Sequence, residues 1–168
     1  MELAFALLPL GGLDVAICLH TAEPVPTNEW DDLITRLASH IASGAEPQRA
    51  RMLVVTDGGA PDARQRSQLG RLRGGQVIQT AVLVPGMNNP LKRGLMTALT
   101  WFNPHMAFFV PTQLSDALHH VGLTETQAQL WTALLGLQRQ LPPVRTLQLI
   151  AQAAQLPLGS AKGMQRVQ

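Results

Sequence analysis

The run RMLVVTDGGAPDARQRSQLGRLRG, residues 51–74, sets the architecture. Met52-Leu53-Val54-Val55 is an uninterrupted apolar stretch, the pattern of a strand buried on both faces. Thr56-Asp57-Gly58-Gly59 closes that strand as a turn. Pro61 is suited to the first position of a helix that would run to Gly74. Strand, glycine turn and polar helix make half of a βαβ unit.

Elements of the same kind lie on both sides of it. Upstream, Leu3–Leu10 and Val15–Leu19 are apolar runs joined by Gly11-Gly12-Leu13-Asp14, a hairpin pattern. Thr27 or Asn28 then caps a helix with Trp30, Leu33, Ile34, Leu37 and Ile41 on one stripe and Gly44 as its stop. The helix from Pro61 to Arg73 is different: it has few apolar residues and carries Arg64, Arg66, Arg71 and Arg73, so it belongs on the outside. Downstream, Val77–Val84 reads as another strand. Asn89 and Pro90 open a helix packed through Leu91, Leu95, Ala98, Leu99 and Phe102. Met106–Val110 is a short strand, and Thr112 is placed to cap a helix that ends at Gly122.

Strands alternating with helices predict an α/β fold, with a mixed, largely parallel sheet under covering helices. A helical pair follows it. Thr124 and Gln127 fit a capping box, Leu130, Trp131, Leu134, Leu135 and Leu141 form one apolar side, and Pro142-Pro143 turns the chain into a last helix. The organisation expected is therefore an α/β domain over 1–123, a helical extension over 124–156 and a frayed tail over 157–168. The apolar side of the extension, Leu130, Trp131, Leu134 and Leu135, either packs back on the sheet or serves self-association as a homo-oligomer.

Composition excludes several classes. Hydrophobic residues at 46% and charged residues at 14% describe a globular chain, not a disordered one. Tyr is absent and aromatics are 4%, which argues against a base-stacking platform for nucleic acid. The N-terminal run begins Met1-Glu2 without basic residues and is broken by Asp14. That is neither a secretory signal nor a membrane span, so a cytoplasmic location is expected. The lone Cys18 sits in an apolar run as a small buried hydrophobe. His119 and His120 point about 100° apart on a helix, and the other histidines are scattered, so no metal site is expected. No catalytic motif and no cofactor fingerprint is present.

Charge is segregated. Residues 1–47 hold seven acids and one Arg, whereas residues 48–93 hold eight basic residues and two acids. Such asymmetry suits an acidic partner docking on the middle segment, or self-association. In open α/β sheets the strand C-termini converge on the binding edge. Asp57, Gly58 and Gly59 follow one strand, and Asn88, Asn89, Lys92 and Arg93 follow the next. With Arg64 and Arg66 they form a candidate interaction or anion-binding edge.

The element order also resembles the STAS fold of anti-sigma-factor antagonists, above all the stand-alone bacterial proteins similar to sporulation stage II protein AA. The stretches that carry the likeness are MLVVTDGGAP with Gln65-Arg66, TAVLVPGMNNPLKRGLMTALTWFNP and AFFVPTQLSDALHHVGL, within residues 1–123. The resemblance implies a non-enzymatic regulatory module acting through protein–protein contact. Some members carry a phosphorylatable Ser in an Asp-Xaa-Ser-Gly turn after the central strand. Here Asp57 matches and Gly59 stands at the Ser position, so the phospho-switch is not expected. The alternative on the same fold is a binder of a small apolar or anionic ligand.

Overall fold

A computed structural model describes residues 1–42, 46–59, 61–72, 78–86 and 104–158. The predicted helix after Pro90 lies outside these residues, as do the helix stops at Gly44 and Gly74.

Five strands form one sheet in the order β1-β2-β3-β4-β5: β1 is Leu3–Leu10, β2 Leu13–His20, β3 Ala50–Thr56, β4 Gln79–Leu83 and β5 Met106–Phe109. The β1/β2 hairpin is antiparallel, and every later pair is parallel. Helix α1 spans Thr27–Ala42, α2 Ala63–Leu72, α3 Leu114–Val121, α4 Gln127–Gln138 and α5 Arg145–Ala154. The fold is α/β with a mostly parallel mixed sheet. Among the described residues no helix is long and apolar enough to cross a membrane.

Strand alternation divides the core in two. Val15, Ile17, Leu19, Leu53, Val55, Ala81 and Leu83 face α3, α4 and α5. Ala16, Cys18, Met52 and Val54 face the opposite layer, which contains Trp30, Leu33 and Leu37 of α1 and Leu69 and Leu72 of α2. Each side chain of Met52–Val55 in β3 therefore meets helix on one side or the other. That is why the run Met52–Val55 is apolar throughout rather than alternating.

The C-terminal pair packs back. α4 lies against β1 and β2, and α5 lies against β3. Leu130, Trp131 and Leu134 are buried at 1%, 5% and 0% exposure, and Leu135 is half-buried. These four residues are not a free self-association surface; they belong to the chain's own core. Withdrawing any one of the buried three would forgo about 1.5–3 kcal/mol. Packing is continuous across residue 123, so that boundary marks a change of pattern and not a separate core. Gln138 fixes the turn between the helices: its Nε2 donates to Pro142 O at 2.9 Å and its Oε1 accepts from Val144 N at 3.0 Å. Trp131 Nε1 donates to Pro157 O at 3.0 Å, tying down the start of the expected tail.

Three helix starts differ from expectation. α2 begins at Ala63, because Asp62 and Gln65 cap each other: Gln65 N donates to Asp62 Oδ1 at 2.8 Å and Asp62 N to Gln65 Oε1 at 2.9 Å. The Thr124/Gln127 box does not form. Residues Thr124–Thr126 make a 3-10 turn, and the Thr126 hydroxyl donates to Leu123 O at 3.0 Å. Thr112 likewise lies inside a 3-10 turn, Pro111–Gln113, and caps nothing.

Candidate functional site

β2 and β3 end side by side, with His20 opposite Thr56. Beyond Thr56 the chain turns through Asp57, Gly58 and Gly59. Gly58 adopts φ 118°, a conformation that a side chain would strain. All three amides of the turn are spent internally. Asp57 N donates to His20 O at 3.3 Å, Gly58 N to Thr56 Oγ1 at 3.0 Å and Gly59 N to Thr21 O at 3.3 Å. The anion-binding part of the expectation therefore has no free amide donor in this turn.

The Asp57 carboxylate is committed as well. Its Oδ2 accepts from Arg145 N at 2.8 Å and its Oδ1 from Thr146 N at 2.7 Å. The Thr146 hydroxyl lies 2.7 Å from Asp57 Oδ1 and 2.8 Å from Thr56 O, within reach of both. These amides open α5, whose own N-cap position is Val144 in an extended conformation without a side-chain bond. Asp57 thus supplies from 88 residues away the cap that α5 lacks. A carboxylate at this end of a helix also meets the positive pole of its dipole.

Gly59 is enclosed. A Cβ built on it would stand 2.7 Å from both Thr21 O and Glu23 O and 3.0 Å from His20 Nδ1. Here glycine is required by space, not only by the turn.

His20 lies at the centre of this end of the sheet, buried, with Nδ1 3.1 Å from Thr21 O and 3.3 Å from Thr56 Oγ1. Burial lowers its pKa below the usual 6.5, against smaller opposing effects of the Thr21 carbonyl and the Asp57 charge. Thr56 and Asp57 are far from His20 along the chain, so nothing local in the sequence groups the three. Thr21 continues the network by donating through its hydroxyl to Glu2 Oε2.

The sign of the pH effect follows from that lowered value. The folded chain holds His20 neutral more firmly than the unfolded chain does. Its contribution to stability is complete above pH 6.5 and is lost as pH falls from there through the lower folded-state value. Urea unfolding between pH 7.5 and pH 5 is expected to show stability falling with acidification in that window, and His20→Gln to lose that part of the slope.

Arg64 and Arg66 lie on the exposed side of α2, with Arg71 further along the same helix. Arg64 pairs loosely with Asp31 of α1 at 4.0 Å, and Arg66 donates to Pro61 O. The single buried residue of α2 is Gln65, whose Nε2 donates to Val25 O at 3.0 Å. Asn88, Asn89, Lys92 and Arg93 lie outside the described residues, so the expected edge is described only at Asp57–Gly59 and on α2.

Burial pushes the Cys18 thiol up to about 12, which leaves it protonated and unreactive at neutral pH. His120 Nε2 lies 3.1 Å from His105 O, linking α3 to the start of β5. Among the described residues no three His, Cys, Asp or Glu side chains gather as a metal site. An apolar recess of about 60 Å³ lies between the sheet and the C-terminal ends of α1 and α2, lined by Leu37, Met52, Leu69, Leu72 and Met106 with Arg51 among them.

Compared with known proteins, the chain matches no family model, no curated protein and no solved structure.

Proposed function

We propose that this chain is a non-enzymatic, STAS-like regulatory or scaffold module that acts by protein–protein contact and has no serine phospho-switch. The observation that carries the reading is the construction of α2. It fully buries one residue, Gln65, rests Leu69 and Leu72 half-buried against the core, and presents Arg64, Arg66 and Arg71 outward. A helix that gives so little to its own core presents most of its surface to a partner, and a basic surface suits an acidic one. The adjoining turn supports the same reading, because its carboxylate is consumed in capping α5 and its amides in bonds to His20, Thr21 and Thr56. The ligand-binding alternative has less support. The recess of about 60 Å³ is well below the roughly 300–1,000 Å³ of small-molecule sites.

Affinity capture from the native host, comparing the parent chain with Arg64→Glu/Arg66→Glu, tests the proposal. A partner retained by the parent is expected to bind the variant roughly 5- to 30-fold more weakly, about 1–2 kcal/mol, with the parent complex weakening as salt rises. Equal retention at equal salt dependence would remove α2 from the interface.

A further inference from the structure

β1 forms one edge of the sheet, and its sequence, LAFALLPL, carries no charge. Its register with β2 shows which backbone groups face outward. Leu3 pairs with His20, and Thr21 N donates to Glu2 O at 3.1 Å, so the even-numbered residues of β1 bond to β2. The odd-numbered residues direct their N–H and C=O to the open side. Leu3 N is taken by Glu29 Oε2 at 2.9 Å, and Pro9 has no N–H to offer. Between them, no hydrogen bond reaches the outward groups of Phe5 or Leu7 among the described residues. Long, uncharged edges of this kind pair with another strand unless something blocks them.

We infer that the occupant is a second copy of this chain, joined β1 to β1 in antiparallel fashion about a two-fold axis through Ala6, with Phe5 opposite Leu7 of the other copy. The pattern of free groups selects this register. It gives two bonded pairs, Phe5 with Leu7 and Leu7 with Phe5, that use every open group of those residues in both copies. At each end Leu3, whose N–H is already taken, meets Pro9, which lacks one, so no donor is stranded. Shifting the register by two residues would place Leu3 opposite Leu7 and leave an open carbonyl facing an occupied amide. An interface in which the same strand serves both sides is closed, and it stops at two copies.

Charge favours the same arrangement. α1 flanks β1, with Glu29 at Leu3 and the Arg36 guanidinium 4.5 Å over the Phe5 ring. Along this flank Glu29 and Asp32 come first, and Arg36 and His40 come later. The two-fold axis sets the two α1 helices antiparallel, so the acidic half of one faces the basic half of the other. This surface is separate from the outer side of α2 and is independent of the function proposed for it.

Light scattering is expected to give twice the chain mass of 18.2 kDa at tens of micromolar. Leu7→Pro removes an outward N–H that the chain itself does not use, and it is expected to give a monomer with an unchanged circular dichroism spectrum. Ala6→Cys places two thiols in a non-hydrogen-bonded cross-strand pair, about 4.5 Å apart at Cα, and is expected to oxidise to a covalent dimer. Leu8→Cys, which falls opposite Ala4 in this register, is expected not to cross-link. The buried Cys18 does not compete. If Leu7→Pro unfolds, the two cysteine variants decide. A monomeric parent chain, or a dimer in which Ala6→Cys cross-links no better than Leu8→Cys, overturns the inference.

Discussion

Serine at position 59 is expected to lower the melting temperature by roughly 6–12 °C. Its Cβ would enter a space bounded by Thr21 O and Glu23 O at 2.7 Å, inside any normal contact. Neither side can yield freely, because Thr21 O already accepts the Gly59 amide at 3.3 Å and lies 3.1 Å from His20 Nδ1. Forcing extra atoms into a packed site costs about 1–3 kcal/mol, with rigid backbone neighbours at the upper end. In a chain of this size each kcal/mol moves the midpoint by about 2–4 °C. Thermal unfolding of Gly59→Ser followed by circular dichroism checks the figure; a midpoint within 2 °C of the parent would mean that the turn has room. The consequence for function is direct. Position 59 is closed to a side chain, so a serine placed there would damage the fold before it could serve as a modification site.

Asp57→Ala is expected to cost about 3 kcal/mol. The substitution strands two amides at the start of α5 and removes one of the two acceptors within reach of the Thr146 hydroxyl. Losing a side-chain N-cap costs about 0.5–2 kcal/mol, and hydrogen bonds to a charged group about 1.5–3 kcal/mol. Asp57→Asn keeps one carbonyl acceptor without the charge and is expected to lose less. Urea titration distinguishes the two variants, and an Asp57→Ala midpoint equal to the parent's would show that the cap carries no energy. The damage should be felt far from residue 57. α5 covers Leu53 and Val55 of β3 through Leu147, Ile150 and Ala151, so loosening its first turn loosens the layer over the central strand.

The course of the chain was legible wherever neighbours in sequence are neighbours in space. The β1/β2 hairpin announces itself through two apolar runs about a glycine pair. The stripe of α1 appears as Trp30, Leu33 and Leu37, with Ile41 of the same pattern left exposed at the rim of the apolar recess. The uniform run in β3 correctly implied cover on both faces. What stayed hidden has one physical cause: contacts across long separations leave no local pattern. Asp-Gly-Gly looks like an open anion turn until Asp57 is seen against Arg145 and Thr146. The only trace in the sequence was negative, since Val144 is a poor cap for a helix beginning at Arg145. Likewise, the apolar side of α4 fits its own sheet or another subunit equally well by periodicity. Only packing distinguishes them, and it puts Leu130, Trp131 and Leu134 inside. His20 was passed over for the same reason: its partner Thr56 lies 36 residues away.

The carboxylate of the turn after β3 is spent on the protein's own last helix. A double-mutant cycle between Asp57→Ala and Thr146→Val, read by urea unfolding, measures that bond. The two residues meet at 2.7 Å, so a coupling of about 1–2 kcal/mol is expected, the double variant losing less than the sum of the singles. Losses that add to within about 0.3 kcal/mol would mean that the Thr146 hydroxyl is spent on Thr56 O and contradict a side-chain bond from Asp57 to α5, leaving the two backbone amides as its hold on that helix.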